Sequence, residues 1–526
     1  MAFAQNAAVE RASLAVVGGV VWPQRQRATA VAVLNDRILA LGSDEDIRAI
    51  CDRNTRTVDA RGGSILPAFN DAHLHFLMAS RGIGQLDLSS AETQTDVERQ
   101  VGAYAASRAG DWVIGRGWYY SAFPGGLPTI ELLDRLVPDR PAYIEAFDTH
   151  TAWVNSRAIT SAGISPGETP GVLKESAMDD FLRHHLPSHD DAQDLDALRA
   201  GMRVAAEHGV ASIQEASRGQ DQLGLYNALR ERDELTIRVR LAFDMEPGLD
   251  AATWKQRLDD YEELARPGRN NPWVSTGILK AFADGVIESH TAALLEPYER
   301  TSSRGELLWA PDELADAVKA ADARGWQVQV HAIGDAAIRQ ALDAFATGTP
   351  ERRHRIEHIE APSPLDIPRF AELGVIASMQ PQHAEPNRNL FEVWLPHIGA
   401  ERAAFGWPWR SILRSGAHIA FGTDWPVVPL DPAASLQVAV TRQTRAGEPA
   451  GGWLRDQRLK VAEALAAWTF GGAYAEHEED QKGTLAEGML ADIAVLDRDV
   501  DAMPADEIAQ LKVTTTIVGG RVVYEG

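Results

Sequence analysis

Short apolar runs alternate with amphipathic stretches along most of this chain, the pattern that βαβ units leave when they build a parallel sheet. Ser64 to Phe69, Ala211 to Gln214, Arg238 to Ala242, Thr276 to Phe282, Gln327 to His331, Arg355 to His358, Val375 to Gln380 and His418 to Phe421 read as strands. Apolar residues at helical spacing fill most of the gaps, over Leu195 to His208, Trp254 to Ala265, Pro311 to Arg324, Asp335 to Ala346 and Pro364 to Leu373. Eight strands close a (β/α)8 TIM barrel. The interval from about residue 79 to 194 is far too long for one loop, so it is expected to carry its own structure as an inserted cap after the first strand.

The two ends of the chain have a different texture. Leu14 to Val17, Val20 to Trp22, Ala30 to Leu34 and Arg37 to Leu41 read as short strands, and the last pair is joined by the turn Asn35-Asp36. Ala491 to Leu496, Val513 to Val518 and Arg521 to Tyr524 repeat that texture, with Gly519-Gly520 turning the last pair. Neither set makes a stable sheet alone. The termini are therefore predicted to form one small β-sandwich domain from residues 1–63 and 476–526, with the barrel, 64–475, inserted between them.

Composition narrows the function. A chain of 526 residues exceeds one hydrophobic core. Lys and Arg total 51 against 75 Asp and Glu, and the net charge of −24 repels nucleic acid and anionic membrane surfaces. Cys51 is the sole cysteine, so no intrachain disulfide forms. Met1 to Arg11 has no apolar core of signal-peptide type, and no later run is long enough to span a bilayer. The expectation is a cytoplasmic protein acting on a small molecule, without nucleic-acid or membrane partners, as a monomer or homodimer.

In such a barrel, reactive groups sit at the C-terminal ends of strands. The first strand leads into Asp71-Ala72-His73-Leu74-His75, and two histidines at i and i+2 on an extended segment face the same way. The fourth holds Lys280, followed by Asp284-Gly285; the fifth and sixth end at His331 and His358; the eighth runs into Thr423-Asp424. Imidazole nitrogen and carboxylate oxygen bind Zn²⁺ or a similar ion at about 2.0–2.2 Å. Two ions about 3.5–4 Å apart can bridge a hydroxide and polarise a carbonyl together. A lysine carbamylated by CO₂ would serve as an anionic bridge between them. Asp424 could bind one ion, take the proton of the nucleophilic water and deliver it to a leaving amine.

FNDAHLHF (69–76), the lysine in ILKAFADGVIESHTAALLEPY (278–298), VHAIGD (330–335), RIEHIE (355–360), FGTDWPVVPLDP (421–432) and LAEGMLADIAVLD (485–497) occur in this order. Together they resemble the amidohydrolase superfamily, and within it the YtcJ-like branch that includes N-substituted formamide deformylases. The resemblance covers nearly the whole chain. It implies His73 and His75 on one metal, carbamylated Lys280 as the bridge, His331 and His358 on the other metal, and Asp424 as ligand and general base. It implies two zinc ions per chain. Thr149 to Asn155 also matches a pattern of that branch, which places His150 of the insertion near the substrate. Ala68 stands where the branch usually has glycine.

Trp118, Tyr119, Tyr120, Trp394, Trp407 and Trp409 read mainly as packing residues. Trp425, beside Asp424, is expected to wall the pocket and favour an apolar or aromatic substituent. His354 and His383 fall outside the ligand set, although Gln382-His383 follows strand seven and could line the pocket. The reading is a metal-dependent hydrolase that cleaves the C–N bond of a small neutral amide, an N-acyl or N-formyl amine, by a metal-bound hydroxide. The alternatives are a cyclic-amide hydrolase or deaminase on the same barrel, and a non-catalytic binding protein that keeps it. An intact ligand set disfavours the last, because buried polar clusters are costly without a use.

Overall fold

The computed structural model describes residues 11–23, 28–108, 110–165, 169–216, 218–266 and 271–526. The expectation placed on residues 1–10 lies outside the described residues. Eight parallel strands form one sheet: β1 (Phe69–Leu74), β2 (Val210–Glu215), β3 (Arg238–Asp244), β4 (Val274–Phe282), β5 (Gln327–Gly334), β6 (Arg355–Ala361), β7 (Ile376–Met379) and β8 (Ile419–Phe421). They follow one another in sequence order around the sheet. Chain just past the ends of β1 and β8 links the two edges. Asp424 N donates to His73 O at 2.7 Å and His75 N donates to Trp425 O at 2.8 Å. Asp71 accepts from Thr423 N at 3.0 Å and from Thr423 Oγ1 at 2.6 Å. Gly422 makes this approach possible, since a Cβ there would lie 2.6 Å from His73 N.

The connecting helices lie where apolar spacing put them. Asp191–Glu207 shows why: Asp190 and Gln193 form a reciprocal capping box, and Leu195, Leu198, Met202 and Ala205 are buried on one face. That face shares a core with Val210 and Ile213 of β2. Burying one such leucine contributes about 1.5–3 kcal/mol, so Leu198→Asp would break this packing first. Among the described residues no helix is long and apolar enough to cross a membrane.

One strand differs from the sequence reading. Ser64–Pro67 is not the start of the barrel: Ser64 pairs in parallel with Val20, and Ile65–Pro67 pair antiparallel with Ile493–Val495. The chain changes sheets at the next step, where Ala68 N donates to Asp492 O at 3.0 Å and Phe69 N donates to Gly209 O at 2.9 Å. Both strands are buried on both faces, so the apolar run carries no mark of the switch. His73 therefore lies within β1, and His75 caps its end.

Both termini contribute to one five-stranded sheet, in the order Val20–Val21, Ser64–Pro67, Ile493–Leu496, Val513–Val518 and Arg521–Glu525. A four-stranded sheet runs Arg37–Gly42, Ala30–Leu34, Leu14–Val17, Arg56–Asp59. Val16 and Val31 of the latter share a core with Ile65, Ile493 and Ile517 of the former. The long insertion has a five-stranded sheet of its own, from Leu86–Asp87 to Val172–Lys174, and its own core around Val97, Val113, Trp118, Leu133 and Trp153.

Candidate metal centre and active site

Five histidines and one carboxylate meet at the C-terminal rim of the barrel. Asp424 Oδ1 lies 3.5 Å from His73 Nε2 and 3.3 Å from His75 Nε2. Its other oxygen, Oδ2, lies 3.8 Å from His358 Nδ1 and 3.7 Å from His383 Nε2. Donor atoms of His73, His75 and Asp424 fall within 4.8 Å of one another, and so do those of His358, His383 and Asp424. The His331 ring sits 4.5 Å from that of His358, with its Nε2 3.1 Å from Gly285 O. Lys280 of β4 ends 4.2 Å over the Phe282 ring.

Backbone conformation brings these groups together. Asp424, His358 and Ile359 take φ of 62°, 73° and 53°. This left-handed region costs on the order of 1–3 kcal/mol for a non-glycine residue, and such strain gathers at functional sites. Strict strand alternation would send Glu357 and His358 to opposite faces. The left-handed turn at His358 lets both reach the site.

Burial keeps the imidazoles neutral. It lowers His73 to about 4, helped by nearby Lys280 and opposed by Glu357. It also takes His331 and His358 well below the usual histidine range. Burial alone would raise Asp424, but His73, His75 and His358 around it hold it well below the carboxylate range. Lys280 is brought down to about 8 by burial, against the pull of Glu357 and Asp424.

The donors suit a divalent cation. Among the described residues, His73 Nε2, His358 Nε2, His383 Nε2 and Lys280 Nζ are buried and have no hydrogen-bond partner. Leaving a buried polar atom unpaired costs about 1–3 kcal/mol. Neutral imidazoles beside an ionised carboxylate are the protonation states a metal requires.

A cavity of about 800 Å³ opens over this centre, lined by His75, Lys280, His331, His358, His383 and Asp424, and by Tyr119, Trp394 and Trp407. His150 reaches into it from the insertion. Its ring is 5.3 Å from that of His331, and its Nδ1 is 2.8 Å from Glu175 Oε2. Glu175 Oε1 in turn accepts from Thr291 Oγ1 at 2.6 Å.

Trp425 is placed differently from the sequence reading. Its N donates to Thr423 Oγ1 at 3.1 Å and its carbonyl accepts from His75 N, which fixes the backbone between the ends of β1 and β8. The ring packs edge-on against Phe76, 5.6 Å away, and is not among the cavity-lining residues. Glu357, Gln380, His383 and Glu175 went unrecognised or were set aside in the sequence. Gln380 Oε1 lies 2.9 Å from His358 Nδ1. The 3-10 turn Pro381–Ala384 carries His383 back over the centre, and the only sequence signal was its position just after strand seven.

A barrel with histidines and a carboxylate at this rim defines a class, the metal-dependent barrel hydrolases. The chain belongs to the amidohydrolase family, which its residues 56–524 match. It is 28% identical to Protein LONG AFTER FAR-RED 3 of Arabidopsis thaliana, over 98% of this chain and 92% of that protein. It is also 28% identical to the putative amidohydrolase YtcJ of Bacillus subtilis, over 97% and 98%. With the N-substituted formamide deformylase of Arthrobacter pascens the identity is 24%, over 95% of each. Among solved structures, an uncharacterized metal-dependent hydrolase from Pyrococcus furiosus superposes with a TM-score of 0.70 at 26% identity, covering 92% of this chain and 99% of that one. The protein is thus a hydrolase acting on carbon–nitrogen bonds.

Proposed function

We propose that the protein hydrolyses the C–N bond of N-acyl or N-formyl amines at a zinc centre, with Asp424 as general base and then general acid. The observation that carries this reading is the position of Asp424. An ionised carboxylate touches both histidines of the His-x-His pair with one oxygen and faces the cavity side of His358 and His383 with the other. His73, His75 and Asp424 would hold one ion, His331 and His358 a second, and carbamylated Lys280 would join them. Such ions supply Lewis acidity toward a carbonyl oxygen and acidify water.

The side chains do the rest. Asp424 takes one proton from the attacking water, the water oxygen bonds to the acyl carbon, and the C–N bond breaks as Asp424 returns that proton to the nitrogen. Water and amide leave as acid and amine. His150, oriented by Glu175, contacts the bound substrate. Low basicity of Lys280 leaves a larger share of neutral amine, the form that reacts with CO₂.

A panel of aryl and alkyl formamides and acetamides, assayed with zinc, tests the reading. Turnover that disappears in Asp424→Asn is expected. No turnover of any amide, alongside reaction with lactones or cyclic ureas, would overturn it.

A further inference from the structure

The cavity has a second chemical face, made of carboxylates. Asp148 from the insertion, Glu288 from the segment after β4 and Glu360 of β6 all line it. Asp148 is 6% exposed; its Oδ1 accepts from His150 N at 3.0 Å, and the Tyr120 hydroxyl lies beside its carboxylate. The neighbouring Tyr120 hydroxyl is directed to Thr151 Oγ1 at 2.8 Å. Glu288 accepts from Asn389 Nδ2 at 3.2 Å, and Glu360 from Trp394 Nε1 at 2.8 Å. Among the described residues none of the three is ion-paired to a lysine or arginine; His383 Nδ1 stands 3.7 Å from Glu360.

Three carboxylates in one desolvated wall repel one another. Burial raises Glu288 well above the carboxylate range, and the charges of Glu360 and Asp148 raise it further. Burial raises Asp148 too. A neutral ligand leaves that repulsion in place, whereas a cation relieves it.

We propose that this wall is a subsite for an organic ammonium group, so that preferred substrates are amides carrying a cationic amine on the arm away from the reacting carbonyl. The substrate part rests on the amide reading above; the subsite itself does not.

Two measurements on the full-length, zinc-loaded protein separate these claims. In the first, calorimetry compares choline with 3,3-dimethylbutan-1-ol, a neutral isostere; the quaternary nitrogen can neither titrate nor ligate metal. Choline is expected to bind about tenfold tighter or more, as a charged partner outweighs a neutral one. The gap is expected to fall to about twofold in Asp148→Asn/Glu288→Gln, and to shrink in each single variant. In the second, N-(4-aminobutyl)formamide is compared with N-pentylformamide. The ammonium substrate is expected to have about tenfold higher kcat/KM, mainly through KM, and the preference is expected to collapse in the same variants. Equal binding of choline and its isostere by the wild type overturns the subsite, and so does discrimination unchanged by the substitutions. Discrimination in binding with turnover of neither these formamides nor the matching acetamides sinks the amide reading and leaves the subsite standing.

Discussion

Glu357 Oε2 lies 2.9 Å from His73 Nδ1, and both side chains are fully buried. Arg355 grips the other carboxylate oxygen through Nε at 3.0 Å and Nη2 at 2.8 Å, and also donates to Ala72 O at 2.6 Å beside the histidine. Burial alone would raise Glu357, but Arg355 and His73 bring it down to about 2, so it stays ionised. This carboxylate fixes the histidine tautomer that presents Nε2 toward Asp424. Partners of this kind typically change metal affinity 10–100-fold when removed. Glu357→Gln should therefore weaken zinc binding by roughly that factor while Arg355 and Gln214 keep the barrel interior filled. Competition with a chromogenic chelator measures it, and unchanged affinity would show that Glu357 is only a packing residue.

The two oxygens of Asp424 face different histidines, and this bears on which side chains hold a second ion. The proposed pair is His331 and His358, yet the compact donor group on that side is His358, His383 and Asp424. His331 Nε2 lies 3.1 Å from Gly285 O. His331→Ala should lower zinc content toward one equivalent per chain, whereas His383→Ala should keep two and act on turnover. Metal analysis after dialysis decides between them. The reverse result would move the second site to His383.

Lys280 gives a separate test of the bridge. An amine lowered to about 8 by burial is poised to react with CO₂. Metal-free protein reconstituted with zinc should regain activity faster and more fully with added bicarbonate, and Lys280→Ala should show no such dependence. Bicarbonate-independent recovery of the wild type would remove the carbamate from the mechanism.

Much of this arrangement was legible because it is periodic. Strand ends recur at barrel spacing, and each polar residue that follows an apolar run is a candidate for the rim, which is how His73, His75, Lys280, His331, His358 and Asp424 could be named without coordinates. What escaped was set by geometry that periodicity does not encode. The change of sheet between Ala68 and Phe69 happens inside one apolar run. Glu357 is an odd neighbour of a ligand until His358 turns left-handed. Trp425 adjoins the centre in sequence, but a backbone fixed by Thr423 and His75 puts its ring on Phe76. His383 depends on a 3-10 turn after β7 that folds the chain back over the cavity.

The last prediction concerns stability rather than catalysis, at a histidine outside the centre. His354 is 3% exposed, its ring stacks on Phe345 at 4.8 Å, and its Nδ1 accepts from Val328 N at 3.0 Å. Protonating Nδ1 destroys that bond, although Asp322 Oδ1, 3.4 Å from Nε2, favours the charged form. Burial dominates and lowers His354 to about 4. Its unfolded value is about 6.5, so between about pH 6.5 and pH 4 the unfolded chain binds the extra proton and the folded chain does not. This contribution is complete above about pH 6.5 and is lost as the pH falls through that window, by about 2 kcal/mol between pH 7 and pH 5. Asn at this position keeps an acceptor for Val328 N but cannot titrate. Urea unfolding of the metal-free proteins, which removes proton competition at the metal ligands, should show His354→Asn losing less stability than wild type from pH 7 to pH 5. Equal losses would mean that His354 accepts its proton in the folded state at no cost.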